Sequence, residues 1–255
     1  MTRLRLAFLG QCHTVGYQGV PADSTFPEVC RSVVQASRPE HRVEIEAQPY
    51  YHPAELPEVV RKVLRHHPRV VVLEVVGWLA VAGDTPLDLS RFPKGIRTAW
   101  QRVRFMRRAT RFVAHRTPSD ALVHQVRSGA LELASSALRP LMREMPRATM
   151  AEYETSVNAA LQQIREGGAT PVVQGPGAAR FNVEAKTIPP DILERYRAVE
   201  QMARRAAETH GALYVDRWDT VSGDFYLPGS ARPTLHGHSV WGHLLADHLL
   251  REGVV

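Results

Sequence analysis

Leu4-Arg5-Leu6-Ala7-Phe8-Leu9-Gly10 is the stretch from which the rest of the chain is read. A short apolar run that stops on a glycine is a buried strand emptying into a tight turn. The residues that follow, Gln11-Cys12-His13-Thr14-Val15-Gly16, then stand at the carboxyl edge of a sheet, where open α/β folds keep their ligands. Gly10 and Gly16 flank Cys12 and let the backbone bend and approach a ligand closely.

Outward from this turn, helical and extended periodicities alternate. Residues 27–36 place Val29, Val33 and Val34 at helical spacing behind Ser24 or Thr25 as a cap. Residues 43–47 alternate as a strand, and residues 56–67 carry Leu56, Val59, Val60, Val63 and Leu64 on one helical stripe. Residues 69–76 are a near-continuous β-branched run, the mark of a strand covered on both faces. Strand and helix in strict alternation predict an α/β fold, three layers deep, with a central parallel sheet.

The pattern changes at about residues 80–149, which read as a helical insertion. Arg97, Arg102, Arg104, Arg107, Arg108 and Arg111 crowd a stretch that also holds Trp100, Val103 and Met106. A charge run of this kind reads as a solvated helix face in preference to a nucleic-acid contact, and no regular stacking aromatics accompany it. Alternation then resumes: a helix over 150–166 closed by Gly167-Gly168, a strand over 170–174, a helix over 190–210, a strand over 212–216 and a last helix over 240–251. One α/β domain carrying the insertion accounts for the whole chain.

Composition narrows the class. At 255 residues, 44% hydrophobic and 23% charged, the chain is an ordinary globule in make-up. No apolar run approaches the roughly 20 residues that span a bilayer, and the N-terminus lacks a secretory pattern, so a cytoplasmic location is expected. The two cysteines, Cys12 and Cys30, are too few for a disulfide framework or a four-cysteine zinc site. The net charge of +6 is carried almost wholly by arginine, since Lys62, Lys94 and Lys186 are the only lysines.

Nucleophilic catalysis requires a nucleophile, a base within hydrogen-bond reach and donors for the charge that develops on a carbonyl oxygen. Cys12 supplies the first. Bases cluster in Thr234-Leu235-His236-Gly237-His238-Ser239-Val240-Trp241-Gly242-His243, read as a loop running into the last helix. His236 and His238 have no neighbouring cysteine or carboxylate with metal-ligand spacing, so no metal is expected.

A nucleophile directly after the first strand, a parallel sheet and a histidine ahead of the final helix resemble the SGNH (GDSL-like) hydrolase superfamily. Leu9-Gly10-Gln11-Cys12-His13-Thr14-Val15-Gly16 is similar to its first block, residues 170–176 to its later strand and exit, and Pro233-Thr234-Leu235-His236 to its closing block. Cys12 stands where the family has serine and Gln11 where it has aspartate. Pro233 occupies the closing aspartate's place, and Leu79 that of the oxyanion asparagine. The resemblance implies acyl transfer on a small acylated substrate, by hydrolysis or by passage to an acceptor, without a cofactor. Its residues would be Cys12 as nucleophile, His236 as base with His238 as the alternative, and Asp224, ahead of Asp219, as the orienting carboxylate. Gly10, Gln11, His13, Gly77 and Trp78 would line the oxyanion and substrate site. A thiolate needs less orientation of its base than a serine does, which makes loss of the closing aspartate survivable. The rival expectation is a binding protein of the same fold that holds an acylated or carbohydrate ligand intact.

Overall fold

The structure, a computed structural model, describes residues 2–16, 20–76, 149–177, 190–218, 225 and 233–255. The chain divides into two compact units, Met1–Ala82 with Arg147–Val255, and Gly83–Pro146. The first unit holds all of the described residues, and the expected insertion over about residues 80–149 lies outside them except for Thr149.

Five parallel strands make one sheet in the order β2-β1-β3-β4-β5. They are β1 (Thr2–Gly10), β2 (His41–Pro49), β3 (Val70–Glu74), β4 (Thr170–Gln174) and β5 (Leu213–Val215). A short α1 (Cys12–Val15) follows β1, then α2 (Phe26–Ser37) and α3 (Leu56–Leu64). The second half contributes α4 (Met150–Glu166), α5 (Pro190–His210) and α6 (Leu235–Arg251). The expected alternation is therefore present as a three-layer α/β/α arrangement.

Strand periodicity sorts the core into two faces. Ala7, Leu9, Val71, Leu73 and Val173 face one way and pack under α3, α4 and α5 through Val60, Leu161, Ile164 and Met202. Leu4, Leu6, Phe8, Val70, Val72, Val172 and Val215 face the other way, under α2 and α6, through Phe26, Val34, Trp241, Leu245 and Leu249. Burying one such side chain contributes about 1.5–3 kcal/mol, so these two layers drive the fold.

Two helix starts show how local chemistry sets the boundaries. At α4, the Thr149 hydroxyl accepts from the Glu152 amide while the Glu152 carboxylate accepts from the Thr149 amide, a reciprocal cap. At α6, the Thr234 hydroxyl accepts from the Gly237 amide at 3.1 Å, and the helix begins at Leu235 rather than at residue 240. The glycines at 237 and 242 weaken helical propensity in the sequence, but Gly242 is required by packing. A Cβ there would lie within 2.6 Å of Val29 Cγ1 and 2.9 Å of the Phe26 carbonyl oxygen, so α6 approaches α2 more closely than any larger residue permits.

Candidate active site

The rows of side chains that face α2 and α6 continue past their apolar part to the carboxyl edge of the sheet. Leu4, Leu6 and Phe8 lead to Gly10; Val70 and Val72 lead to Glu74; Val172 leads to Gln174; Val215 leads, two residues on, to Arg217. The layer thus changes from hydrocarbon to polar side chains, two of them charged, at the ends of three adjacent strands. Glu74, Gln174 and Arg217 are all buried there.

Gly10 makes room for this change. A Cβ at position 10 would stand 2.5 Å from Glu74 Oε2 and 2.6 Å from Thr14 Cγ2. With hydrogen there instead, the carboxylate reaches across the end of β1 and accepts from His13 Nε2 at 2.6 Å. Its other oxygen accepts from Arg217 Nη2 at 2.9 Å. Arg217 is fixed in turn by donation from Nε to the Gly175 carbonyl at 2.7 Å and by the Trp241 ring, whose centroid lies 4.4 Å from its guanidinium carbon. Burial would raise the Glu74 carboxyl, but the charges of His13 and Arg217 and their hydrogen bonds outweigh it and hold the group at about 2. A buried His–Glu–Arg chain therefore ties together the ends of β1, β3 and β5.

The β3 exit is held rigid from the opposite face. Tyr50 donates its hydroxyl proton to the Glu74 carbonyl at 2.5 Å, and the Tyr153 hydroxyl accepts from the Val76 amide at 2.7 Å. Both rings are fully buried.

Gln11 is the N-cap residue of α1, and its carbonyl accepts from the Thr14 amide at 2.9 Å and from the Thr14 hydroxyl. Cys12 opens α1 directly after the end of β1. Its side chain lies outside the described residues, as do Gly77, Trp78, Asp219 and Asp224. His13 is brought into the buried chain.

His236 and His238 sit in the first turn of α6 rather than in a loop, and two residues of helix turn them to different surroundings. His236 is exposed and meets the edge of the Phe225 ring with centroids 4.9 Å apart. His238 is fully buried, stacked on Phe26 at 6.2 Å, and its Nδ1 accepts from the Phe26 amide at 3.0 Å. A histidine 212 residues away in sequence thus caps the N-terminus of α2, where the Thr25 hydroxyl makes no cap and instead bonds the Ala22 carbonyl. Burial, with a contribution from nearby His13, pushes the His238 imidazole down to about 3, so the ring is neutral, with Nδ1 as acceptor and Nε2 protonated.

Glu74, Gln174 and Arg217 are the residues that motif reading passed over. The signal for Glu74 was a charge closing the otherwise apolar strand Val70-Val71-Val72-Leu73. Among the described residues, both amide atoms of Gln174 and Arg217 Nη1 are buried without a hydrogen-bond partner. Among the described residues, no group of three or more His, Cys, Asp or Glu is arranged to hold a metal ion, and no helix is long and apolar enough to cross a membrane.

No protein-family model matches the sequence, and no curated protein matches it. Solved structures do. A catalytic mutant of Axe2, an acetylxylan esterase from Geobacillus stearothermophilus, is 14% identical with a TM-score of 0.57, over 98% of this chain and 93% of that one. A GDSL-like lipase from Parabacteroides merdae is 12% identical with a TM-score of 0.54, over 100% and 97% of the two chains. The esterase EstA from Pseudoalteromonas is 9% identical with a TM-score of 0.53, over 97% of each chain. At these identities the likeness is one of architecture: the chain shares its three-layer α/β/α fold with these esterases and lipases.

Proposed function

We propose that the protein is an acyl-transfer enzyme that forms a thioester on Cys12 and releases the acyl group to water or to another acceptor. The observation that carries the reading is the position of Cys12: it opens α1 directly after β1, beside a buried histidine whose carboxylate partner ends the neighbouring strand. A thiol at a strand exit next to a protonatable ring is in the setting that favours the thiolate, the reactive form. The esterases and lipases of the same architecture support acyl chemistry in general.

In this reading His236 moves protons to and from the leaving and incoming oxygens, because it is exposed at the first turn of α6 and open to solvent. Asp224 would orient it. His238 is the poorer base, since its Nδ1 lone pair is committed to the Phe26 amide. The backbone N–H groups at Cys12 and Gly77 would receive the developing oxyanion, with Gln11 and Trp78 beside the acyl group. The substrate is a small acylated molecule, and no cofactor enters the reaction.

The test is pre-steady-state kinetics with p-nitrophenyl acetate. A burst of p-nitrophenol stoichiometric with protein, abolished in Cys12→Ala and by prior treatment with iodoacetamide, is expected. Turnover that survives both treatments, or no turnover of any activated ester by protein whose thiol titrates as free, would overturn the reading.

A further inference from the structure

We propose that the amino edge of the sheet, at the opposite end of the strands from Cys12, carries a binding site for a phosphate group. Arg3, Arg5 and Arg69 hold the group, and His67 lines the same cavity. From Arg5 to Gly10 is five residues of strand, about 17 Å at about 3.3 Å apiece, so a ligand held here does not meet the turn after β1. The site is therefore independent of the acyl-transfer reading.

The strand periodicity that builds the core also builds this cavity. Arg3 and Arg5 stand on the same face of β1 as Ala7 and Leu9, and Arg69, directly ahead of β3, on the same side as Val71 and Leu73. One step before the paired Leu6 and Val70, the Arg69 amide donates to the Arg5 carbonyl at 2.9 Å, which sets the two arginines side by side. Arg3 is paired in turn with Arg42 of β2. Like charges at paired strand positions repel, and two such pairs meet at this corner of the sheet.

Charge counting leaves the corner short of anions. Among the described residues, no carboxylate lines the cavity. Glu44 answers the arginines from beside it, with its oxygens 3.1 Å from Arg5 Nε, 3.3 Å from Arg42 Nε and 3.8 Å from Arg3 Nε. Two helices also end here, since His67 and Pro68 follow α3 while Gly167 and Gly168 follow α4. Each helix end supplies about half a negative charge. Four guanidiniums therefore meet about two negative charges, and the remainder suits an oxyanion that carries more than one charge.

The donors are held ready and the space is open. Arg5 donates from Nη1 to the His66 carbonyl at 2.6 Å and from Nε to Glu44, which leaves Nη2 for a ligand. Arg69 donates from Nε to the Val254 carbonyl at 3.2 Å, which leaves its two terminal nitrogens. The planar guanidinium fork fits two oxygens of one phosphate. The facing wall is Gly167 and Gly168, and a Cβ at Gly168 would meet nothing within 4 Å. The cavity measures about 480 Å³, the size of a small-molecule pocket, with room for whatever the phosphate is carried on. His67 has φ 50°, the one non-glycine in the left-handed region among the described residues, just past a helix end where glycine is usual. A histidine kept there against that preference gives the cavity a further N–H donor.

The test is isothermal titration calorimetry on the full chain at low ionic strength, where charge is least screened, with inorganic phosphate and adenosine monophosphate as titrants. One site per chain is expected, with a Kd of about 1 mM or tighter for at least one of them. Tighter binding of the nucleotide, displaced by phosphate, assigns the site to an organic phosphate, and binding of inorganic phosphate alone assigns it to the free ion. Arg69→Gln removes a charged donor from the cavity and weakens binding about tenfold. Arg42→Gln removes the same charge from a side chain that does not line the cavity and weakens it less than about twofold. Arg3→Gln, an exposed side chain, takes the place of Arg69→Gln should that variant fail to fold. Absence of binding by either titrant up to about 10 mM, or an equal loss in Arg42→Gln and the cavity variants, overturns the proposal. The titration is read equally well in Cys12→Ala, so its outcome is separate from that of the burst experiment.

Discussion

His238→Asn is the most direct probe of the physics at this sheet edge. The folded protein holds the His238 ring at about 3, whereas an unfolded chain returns it to about 6.5. A group whose pKa is depressed by folding contributes stability that is present above the unfolded value and lost as pH falls toward the folded one. The window is therefore pH 6.5 down to about 3. Within it the unfolded chain binds one more proton than the folded chain at this site, a slope of about 1.4 kcal/mol per pH unit and about 5 kcal/mol across the window. Asparagine keeps an acceptor for the Phe26 amide and removes the titration. Guanidinium unfolding midpoints at pH 5.0, 5.5 and 6.0 and constant ionic strength should fall less steeply for the variant, by that one-proton slope. The variant also loses the ring packed on Phe26 and Trp241, so it is less stable at pH 8, and the slope is the quantity to read rather than the height. Parallel slopes would refute the account of His238 as a neutral, buried cap.

Glu74→Leu with Arg217→Met removes the ion pair together and is expected to cost less by denaturant unfolding than Glu74→Gln, which leaves Arg217 buried without its counter-charge at about 3–5 kcal/mol at pH 7; the residual cost of the double variant, about 1–3 kcal/mol, comes from the bonds that His13 Nε2 and the Gly175 carbonyl lose. The same carboxylate, lowered from 4.5 to about 2, gives the unaltered protein about 3 kcal/mol above pH 4.5 that is lost as pH falls from 4.5 to 2, and this acid limb is absent in Glu74→Gln. Gly10→Ala drives a methyl group to 2.5 Å from Glu74 Oε2, so it should lose about 1–3 kcal/mol as overpacking and displace the His13 imidazole resonances in the NMR spectrum. Gln174→Met replaces two unpartnered buried polar atoms with hydrocarbon and is expected to raise stability by about 1 kcal/mol in urea titration.

What the sequence disclosed was periodicity. An apolar run ending on Gly10, a β-branched run at Val70 to Leu73 and the repeated helix punctuation were enough for the parallel sheet and its layers, because burial on both faces leaves few polar residues inside those strands. The polar chain behind Cys12 was not legible for a physical reason: Glu74 and Arg217 are 143 residues apart, and their pairing depends on β3, β4 and β5 being neighbours in register, which local patterning does not encode. His238 was hidden in the same way, as its partner is the first amide of α2. The start of α6 was missed although Thr234 is a strong cap residue, because Gly237 and Gly242 lower the intrinsic preference for helix and their reason lies in contact with α2.

The placement of the charged trio bears on why it persists. A buried ion pair is weak evidence for stability, since the desolvation of its members consumes much of their attraction. Here Glu74, Arg217 and His13 all lie within the most buried part of the chain, directly continuing rows of valine and phenylalanine that could have been extended by one more apolar residue apiece. Hydrocarbon at positions 13, 74 and 217 together would cost the fold little. What hydrocarbon could not do is fix the orientation of a ring at the residue after Cys12. The one difference between the charged and the apolar versions of this sheet edge is thus a difference at the turn after β1.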